Sequence, residues 1–263
     1  MTLSAIGTSR NLSTPRAIFA LMLREMVTSY GRSPGGYIWA VLEPVAAIGL
    51  LAVAFSVAFD TPLLGASFPL FYATGYLPYM LFHDVTNKSA TAVRFSLPLL
   101  SFAVINWLDV IFARFLLNVL THLMVGALVI AAMLIALETR ATPDLGRILM
   151  TTCMGAALAL GAGMLNAWAF LAFPVWERIW GVATRPLFIA SGIFFLFDDL
   201  PEWVQSFLWY NPLFHVTGEM RRGFYATYSP DYINPSYVFG VSFGLLVLGL
   251  MLLHRDSDDL IHK

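Results

Sequence analysis

Charged residues are scarce in this sequence. Asp, Glu, Lys and Arg make up 12% of the 263 residues, whereas hydrophobic residues make up 59%. Soluble domains carry roughly 25% charged residues. Such a small number of charged residues cannot cover a protein surface in water. Lipid must therefore solvate much of the chain. The composition excludes an ordinary soluble domain. The net charge of −1 says nothing about nucleic acid, but the Lys and Arg residues are spread along the chain rather than clustered, so we predict no nucleic-acid partner.

Cysteine and lysine are also rare. The one cysteine, Cys153, lies in an apolar run, which excludes a disulfide framework and a cysteine-based metal site. Neither lysine, Lys88 or Lys263, lies in the G-x-x-x-x-G-K-[ST] pattern that binds nucleotide phosphates. No histidine pair has zinc spacing and no G-x-S-x-G elbow occurs, so we predict no catalytic residue and no metal site. If this chain transports a solute, a partner ATPase or an ion gradient must supply the energy.

An ion-coupled carrier usually has acidic residues inside its spans. Glu43, Asp84 and Asp109 are the candidates here, and all three lie near predicted cytoplasmic ends. Their placement disfavours coupling to an ion gradient without excluding it.

Long apolar runs are abundant. A spanning helix needs about 20 mostly apolar residues. Six windows qualify, at 36–59, 68–87, 107–137, 148–173, 180–198 and 235–254. We therefore predict an all-α, polytopic membrane protein with six transmembrane helices in a single domain that covers residues 1–263.

The distribution of basic residues predicts the orientation. The segments on the side of the termini contain Arg10, Arg16, Arg24, Arg32, Lys88, Arg94, Arg178, Arg185, Arg255 and Lys263. The opposite side contains Arg140, Arg147, Arg221 and Arg222. This excess predicts that both termini are cytoplasmic.

Two further segments have distinct patterns. Residues 14–31 begin with Thr14-Pro15, a typical helix start, and place apolar residues on one face, which predicts an amphipathic helix in the membrane interface or packed on the protein. Residues 198–232 are rich in aromatics and interrupted by Pro201 and Pro212. They predict two short re-entrant helices, at about 201–210 and 212–226, beside a cavity or pore. An extracytoplasmic cap is the alternative.

Polar and aromatic stripes occur within the spans. Arg114, Asn118 and His122 are four residues apart and share a helix face. They could line a path for an anionic substrate. Alternatively, Arg114 could pair with Asp109 or Glu43, and His122 could bond a neighbouring helix.

A second stripe is aromatic. Tyr72, Tyr76 and Tyr79 share one face of the second span, and such rings could stack on the sugars of a sliding polymer. Ordinary packing or contact with lipid is the alternative interpretation.

Residues 88–106 form a short stretch between the second and third spans. They contain Lys88 and Arg94 and could contact a cytoplasmic ATPase, or they could be an ordinary loop.

Two motifs resemble bacterial polysaccharide-exporting ABC permeases, and most closely those of capsule exporters. Gly36, Trp39, Glu43 and Pro44 match a G-x-x-W-x-x-x-E-P pattern at the start of the first span. The stretch Asn211-Pro212-Leu213-Phe214-His215 matches an N-P-L-x-H pattern before the last span. Six spans and a long aromatic segment between the last two extend the resemblance over nearly the whole chain.

The resemblance implies a function and a set of partners. It implies a homodimer in the bacterial inner membrane that exports lipid-linked capsular polysaccharide, with two cytoplasmic ATPase subunits binding ATP and Mg²⁺. It further implies a periplasmic adaptor of the polysaccharide co-polymerase type and an outer-membrane channel. This chain itself would hold no cofactor.

The resemblance also implies roles for regions of the chain. The interface helix and the loop after the second span would contact the ATPase, with Arg24, Arg32, Lys88 and Arg94 as candidates. The short helices before the last span would form a periplasmic gate. The gate candidates are His215, Glu219, Arg221, Arg222 and Tyr225, of which His215 and Glu219 could instead bond only to each other. Export of O-antigen, another lipid-linked glycan or a drug stays open, as does an integral-membrane transferase.

Overall fold

The computed structural model describes residues 10–30, 35–100, 105–137 and 141–261. The regular structure of these ranges is helical, without β-strands, which confirms the all-α prediction. Three basic residues used above, Arg32, Arg140 and Lys263, lie outside the described residues, as do residues 101–104 of the predicted coupling stretch.

The described residues form eleven helices. They are α1 (Arg10–Tyr30), α2 (Gly36–Ala58), α3 (Phe68–Ala90), α4 (Ala92–Phe95), α5 (Leu97–Leu100), α6 (Trp107–Ala136), α7 (Leu145–Ala172), α8 (Pro174–Ile189), α9 (Glu202–Leu208), α10 (Pro212–Phe224) and α11 (Pro235–Ile261).

Four helices are long and apolar enough to cross a membrane, namely α2, α6, α7 and α11. They match the first, third, fourth and sixth predicted windows. Side chains cap the first turns of three of them, α6, α7 and α11. Asn106 and Asp109 form a capping box at the start of α6, and the Asp144 side chain accepts hydrogen bonds from the first turn of α7. Asn234 accepts a bond from the Tyr237 N–H at the start of α11.

The second and fifth predicted windows have different outcomes. α3 has 23 residues, the length of a span, but it carries polar residues and is largely buried between other helices. α8 has 16 residues and ends at Ile189, so the prediction of one helix over 180–198 is wrong. The chain turns at Gly192, whose φ of +77° is a left-handed conformation that glycine adopts without strain.

The centre of the molecule is α7, which packs against α3 on one side and α11 on the other. A Cβ added to Gly161 would collide with the backbone carbonyl of Ser242 on α11, and one added to Gly163 would lie 2.8 Å from Ser89 on α3. On α11, a Cβ at Gly249 would meet the backbone of Leu165. Glycine at these positions lets the helix backbones approach closely, as is typical of membrane helix interfaces.

The N-terminal helix α1 begins at Arg10 rather than at Thr14, so Pro15 lies inside the helix. Leu21 is buried against α6, whereas Phe19 and Val27 are 61% and 69% exposed. One side of α1 therefore packs on the protein, and another leaves apolar side chains uncovered.

Candidate functional site

A cavity of about 440 Å³ lies between α2, α3 and α6, and we call it the polar chamber. It brings together residues that the sequence placed in separate groups. Its lining includes the motif residues Gly36, Trp39, Glu43 and Pro44, the stripe residues Asn118 and His122, and Asp84 and Lys88 from α3. The first motif thus faces the same cavity as part of the third-span stripe.

His122 joins two walls of the polar chamber. Its Nε2 lies 3.0 Å from Oδ2 of Asp84 on α3, and its Nδ1 lies 3.0 Å from the Asn118 carbonyl oxygen on α6. The Asn118 side chain donates to the Arg114 carbonyl at 2.7 Å. His122 therefore contacts a neighbouring helix, as one of the two interpretations of the stripe expected.

The Arg114 side chain is directed away from Asn118 and His122. Its guanidinium lies 2.9 Å from a carboxylate oxygen of Glu25 on α1 and 5.0 Å from the ring centroid of Phe95. Both charged side chains are largely buried, at 11% and 13% exposure. The partner of Arg114 is thus Glu25, and not Asp109 or Glu43 as the pairing interpretation suggested.

The tyrosine stripe of α3 is buried within the protomer. Tyr79 donates its hydroxyl hydrogen to the Thr184 carbonyl on α8 at 2.9 Å. Tyr76 packs edge-on against Phe188, and Tyr72 contacts Phe55 and Phe194. All three tyrosines are at most 8% exposed, so this face packs on α8 and the turn that follows it.

Arg221 on α10 is buried, at 1% exposure. It donates hydrogen bonds to the carbonyls of Ile193 and Phe195 at 3.1 and 3.0 Å, and its guanidinium lies 4.4 Å from the Phe71 ring centroid. The gate candidate Arg221 is therefore covered by neighbouring parts of the chain and does not face a path for a substrate. Instead, Arg221 satisfies two backbone carbonyls of the non-helical turn that follows α8.

Other gate candidates also form contacts between helices. Glu219 is 5% exposed and lies 3.4 Å from Arg147 of α7 and 3.3 Å from Arg222. His215 Nε2 lies 2.8 Å from the Trp209 carbonyl, and its Nδ1 accepts from the Asn234 N–H. The prediction that His215 and Glu219 bond to each other is therefore wrong.

The second short helix of this segment, α10, has a capped start. Asn211 caps α10 through the Leu213 N–H and donates to the Ala190 carbonyl, and Pro212 occupies the first helical position. Tyr225 ends α10 and packs its ring against Gly65. The helices α9 and α10 occur close to the predicted positions.

Residues 16–225 match the family model for the ABC-2 type transporter. The chain belongs to that family.

Relatives of this ABC-2 chain extend the match beyond those residues. The polysialic acid transport protein KpsM of Escherichia coli is 28% identical over 242 residues, which cover 92% of this chain and 94% of KpsM. Two inner-membrane proteins of capsule polysaccharide export, CtrC of Neisseria meningitidis serogroup A and BexB of Haemophilus influenzae, are 26% and 27% identical. Each alignment covers 92% of this chain and 91% of the relative. These matches confirm the resemblance to capsule-export permeases.

Three of the four candidate coupling residues of this ABC-2 chain, Arg24, Lys88 and Arg94, lie in the described residues. Arg94 of α4 forms a bidentate pair with Glu177 of α8, at 2.6 and 2.9 Å. This guanidinium holds the pKa of the Glu177 carboxyl below its ordinary value. Arg24 is exposed on α1, and Lys88 is exposed at the rim of the polar chamber.

The sequence did not identify three acidic side chains as the partners of basic side chains on other helices. Glu25 and Glu177 were not singled out, and Asp84 was considered only as an ion-coupling residue. Each binds a cationic or ring nitrogen on a different helix. One signal in the sequence was the free-energy cost of an unpaired arginine near the membrane. This cost requires an acidic partner but does not identify it.

Proposed function

We propose that this chain is the membrane-spanning subunit of an ATP-driven exporter of lipid-linked capsular polysaccharide. The observation that carries the proposal is the alignment of 92% of the chain with relatives named for capsule polysaccharide export or polysialic acid transport. The sequence has no phosphate-binding loop, so a partner subunit binds ATP and Mg²⁺ and hydrolyses the nucleotide.

In this proposal the chain crosses the inner membrane six times with both termini in the cytoplasm. The four long apolar helices supply four crossings. α3 supplies another, because most of its length is buried between other helices. Residues 180–198, which comprise the rest of α8 and the turn after it, supply the sixth. The helices α9 and α10 are re-entrant, which is supported by the exposed aromatic residues Trp203, Phe207 and Tyr210 and by the pairing of non-helical carbonyls with Arg221.

The proposed assembly is a homodimer with two cytoplasmic ATPase subunits. Two charged contacts join the parts of the cytoplasmic end that would receive force from the ATPase. Glu25–Arg114 ties α1 to α6, and Arg94–Glu177 ties α4 to α8. Movement of α1 or α4 would therefore be transmitted to helices that cross the bilayer. A periplasmic adaptor and an outer-membrane channel complete the route in the proposal.

The gate proposal is revised by the contacts of α10. Arg221 positions the gate by fixing residues 193–195 to α10, whereas Glu219 and Arg147 hold α10 on α7. Arg222 is partly exposed and is the gate arginine that can meet an acidic polymer.

Deleting the gene and restoring it with a tagged copy tests the function. We expect the deletion to abolish surface capsule and leave glycolipid inside the cell. We also expect the tagged chain to co-purify with an ATPase that carries the nucleotide motifs. Normal surface polysaccharide in the deletion strain would refute the proposal, and ATP hydrolysis by the purified chain alone would refute the assignment of hydrolysis to a partner.

A further inference from the structure

One stripe of α6 changes from polar to apolar along its length. Asn118, His122, Gly126, Ile130 and Leu134 are spaced by four residues and therefore form one continuous i, i+4 row that winds slowly around the helix. The first two line the polar chamber, and the last three line a second cavity. The change of chemistry occurs at His122, which lines both.

The second cavity, which we call the apolar slot, has a volume of about 290 Å³ and lies between α3, α6 and α7. It shares Leu77 and His122 with the polar chamber, so the two cavities adjoin. Its walls are almost entirely aliphatic. From His122 to Leu134 the slot follows α6 for about 18 Å, given a rise of about 1.5 Å per residue, which is long enough for an extended acyl chain.

The chemistry of the polar chamber selects a type of head group. Glu43 and Asp84 offer carboxylate oxygens that accept hydrogen bonds from hydroxyl groups, and Lys88 donates. Trp39 is 60% exposed at the rim, where its ring can stack on the apolar face of a sugar. Because the two carboxylates would repel a multiply charged anion, a hydroxyl-rich sugar fits better than a phosphate.

We propose that each copy of the chain binds one glycolipid across both cavities, with a sugar in the polar chamber and one acyl chain in the apolar slot. The inference rests on the proposed function and specifies where the lipid-linked end of the glycan is held within a single protomer. Separate polar and apolar cavities would bind two unrelated ligands, but the shared wall at His122 and Leu77 lets one amphipathic molecule fill both.

Gly126 allows the slot to be closed without disturbing the fold. A Cβ added there meets no atom within 4 Å, so the leucine side chain of Gly126→Leu would occupy the slot itself. Gly244→Leu on α11 is the matched control, since a Cβ there also meets open space and the position lies outside both cavities. The two substitutions make the same change in helix propensity.

Photo-crosslinking in nanodiscs tests the proposal on the full chain bound to its ATPase. The first probe is monoglucosyl diacylglycerol with a diazirine on one acyl chain, and the second is phosphatidylglycerol with the same chain. We expect the glucosyl probe to label peptides of α6 around Ile130 and Leu134. Gly126→Leu should reduce this labelling by about tenfold or more, since each methylene excluded from an apolar site lowers affinity about fourfold. Gly244→Leu should leave it unchanged.

Two results would overturn the inference. Absence of glucosyl labelling on α6, or labelling that Gly126→Leu does not reduce, would show that no acyl chain occupies the slot. Equal labelling by phosphatidylglycerol would show that the chamber does not select a sugar. The gene deletion separates these results from the proposed function, because capsule could still depend on the chain while the slot stays unlabelled.

Discussion

At the scale of single residues, the buried pair Glu25–Arg114 determines how α1 is held. Replacing one member, as in Glu25→Gln, leaves the other charge buried, which in such pairs destabilises a protein by about 3–5 kcal/mol. We expect a lower thermal unfolding midpoint in detergent and faster proteolysis of α1. Arg24→Gln, which changes an exposed neighbour on the same helix, is the control. Equal stability of the two variants would contradict a structural role for the pair.

Arg221 gives a second prediction at this scale. Its planar guanidinium donates to two carbonyls at once while lying over Phe71, and a lysine ammonium cannot reproduce that geometry. We expect Arg221→Lys to destabilise the protein by about 1–3 kcal/mol, the cost of buried polar groups left without partners. Arg222→Lys, at a partly exposed position, should change stability little. Unfolding of the purified variants measures both, and an Arg221→Lys protein as stable as the parent would refute the positioning role.

The sequence predicted residue types better than partners. That Arg114 must be satisfied follows from its place in an apolar helix. Its partner lies 89 positions away on α1, and periodicity says nothing about how two helices are set against each other. Arg221 shows the same limit. The sequence predicted it only as a gate candidate, and the carbonyls that it binds lie in the turn after Gly192, which the sequence did not predict.

At the scale of helices, the seam between α7 and α11 should not tolerate even one methyl group at Gly161. That methyl would collide with the Ser242 carbonyl, so we expect Gly161→Ala to destabilise the protein by about 1–3 kcal/mol through overpacking. Gly244→Ala, where the added carbon meets nothing within 4 Å, should be neutral or slightly stabilising. Unfolding in detergent checks the pair, and a neutral Gly161→Ala would argue against the close approach.

The contact between α4 and α8 should depend on pH. Because Arg94 lowers the pKa of Glu177, the pair stabilises the protein above the ordinary titration range of a glutamate and loses this effect as pH falls through the lowered pKa. Both side chains are more than a third exposed, so the coupling should stay below about 1 kcal/mol. A double-mutant cycle with Arg94→Gln and Glu177→Gln should find coupling at neutral pH that weakens as the pH falls below the ordinary titration range of a glutamate. Coupling that persists in acid would contradict an ionic contact.

Hydropathy predicted some helices and missed the end of one. The four windows with long, predominantly apolar runs correspond to α2, α6, α7 and α11. The fifth window failed because residues 188–197 remain apolar while the backbone leaves the helix. The composition of the window gives no indication of the left-handed φ at Gly192. The hydrogen bonds that satisfy the backbone carbonyls of this turn come from Arg221 on a later helix.

At the scale of the whole molecule, the proposed topology can be tested by labelling. In a Cys153→Ser background, Thr142→Cys and Asp231→Cys should react with an impermeant maleimide in intact cells, because both positions lie on the proposed periplasmic side. Leu97→Cys and Lys263→Cys should react only after the cells are opened. Labelling of Lys263→Cys in intact cells would contradict a cytoplasmic C-terminus.

The glycines that line both sides of α7 also restrict how the protein can move. A slide of α11 along α7 by one residue would bring larger atoms to positions where only hydrogen now fits, and the same holds for α3 at Ser89. These three helices must therefore travel as one rigid block during any transport cycle. The freedom to open belongs to the helices around that block, where the cavities beside α6 already separate neighbouring backbones.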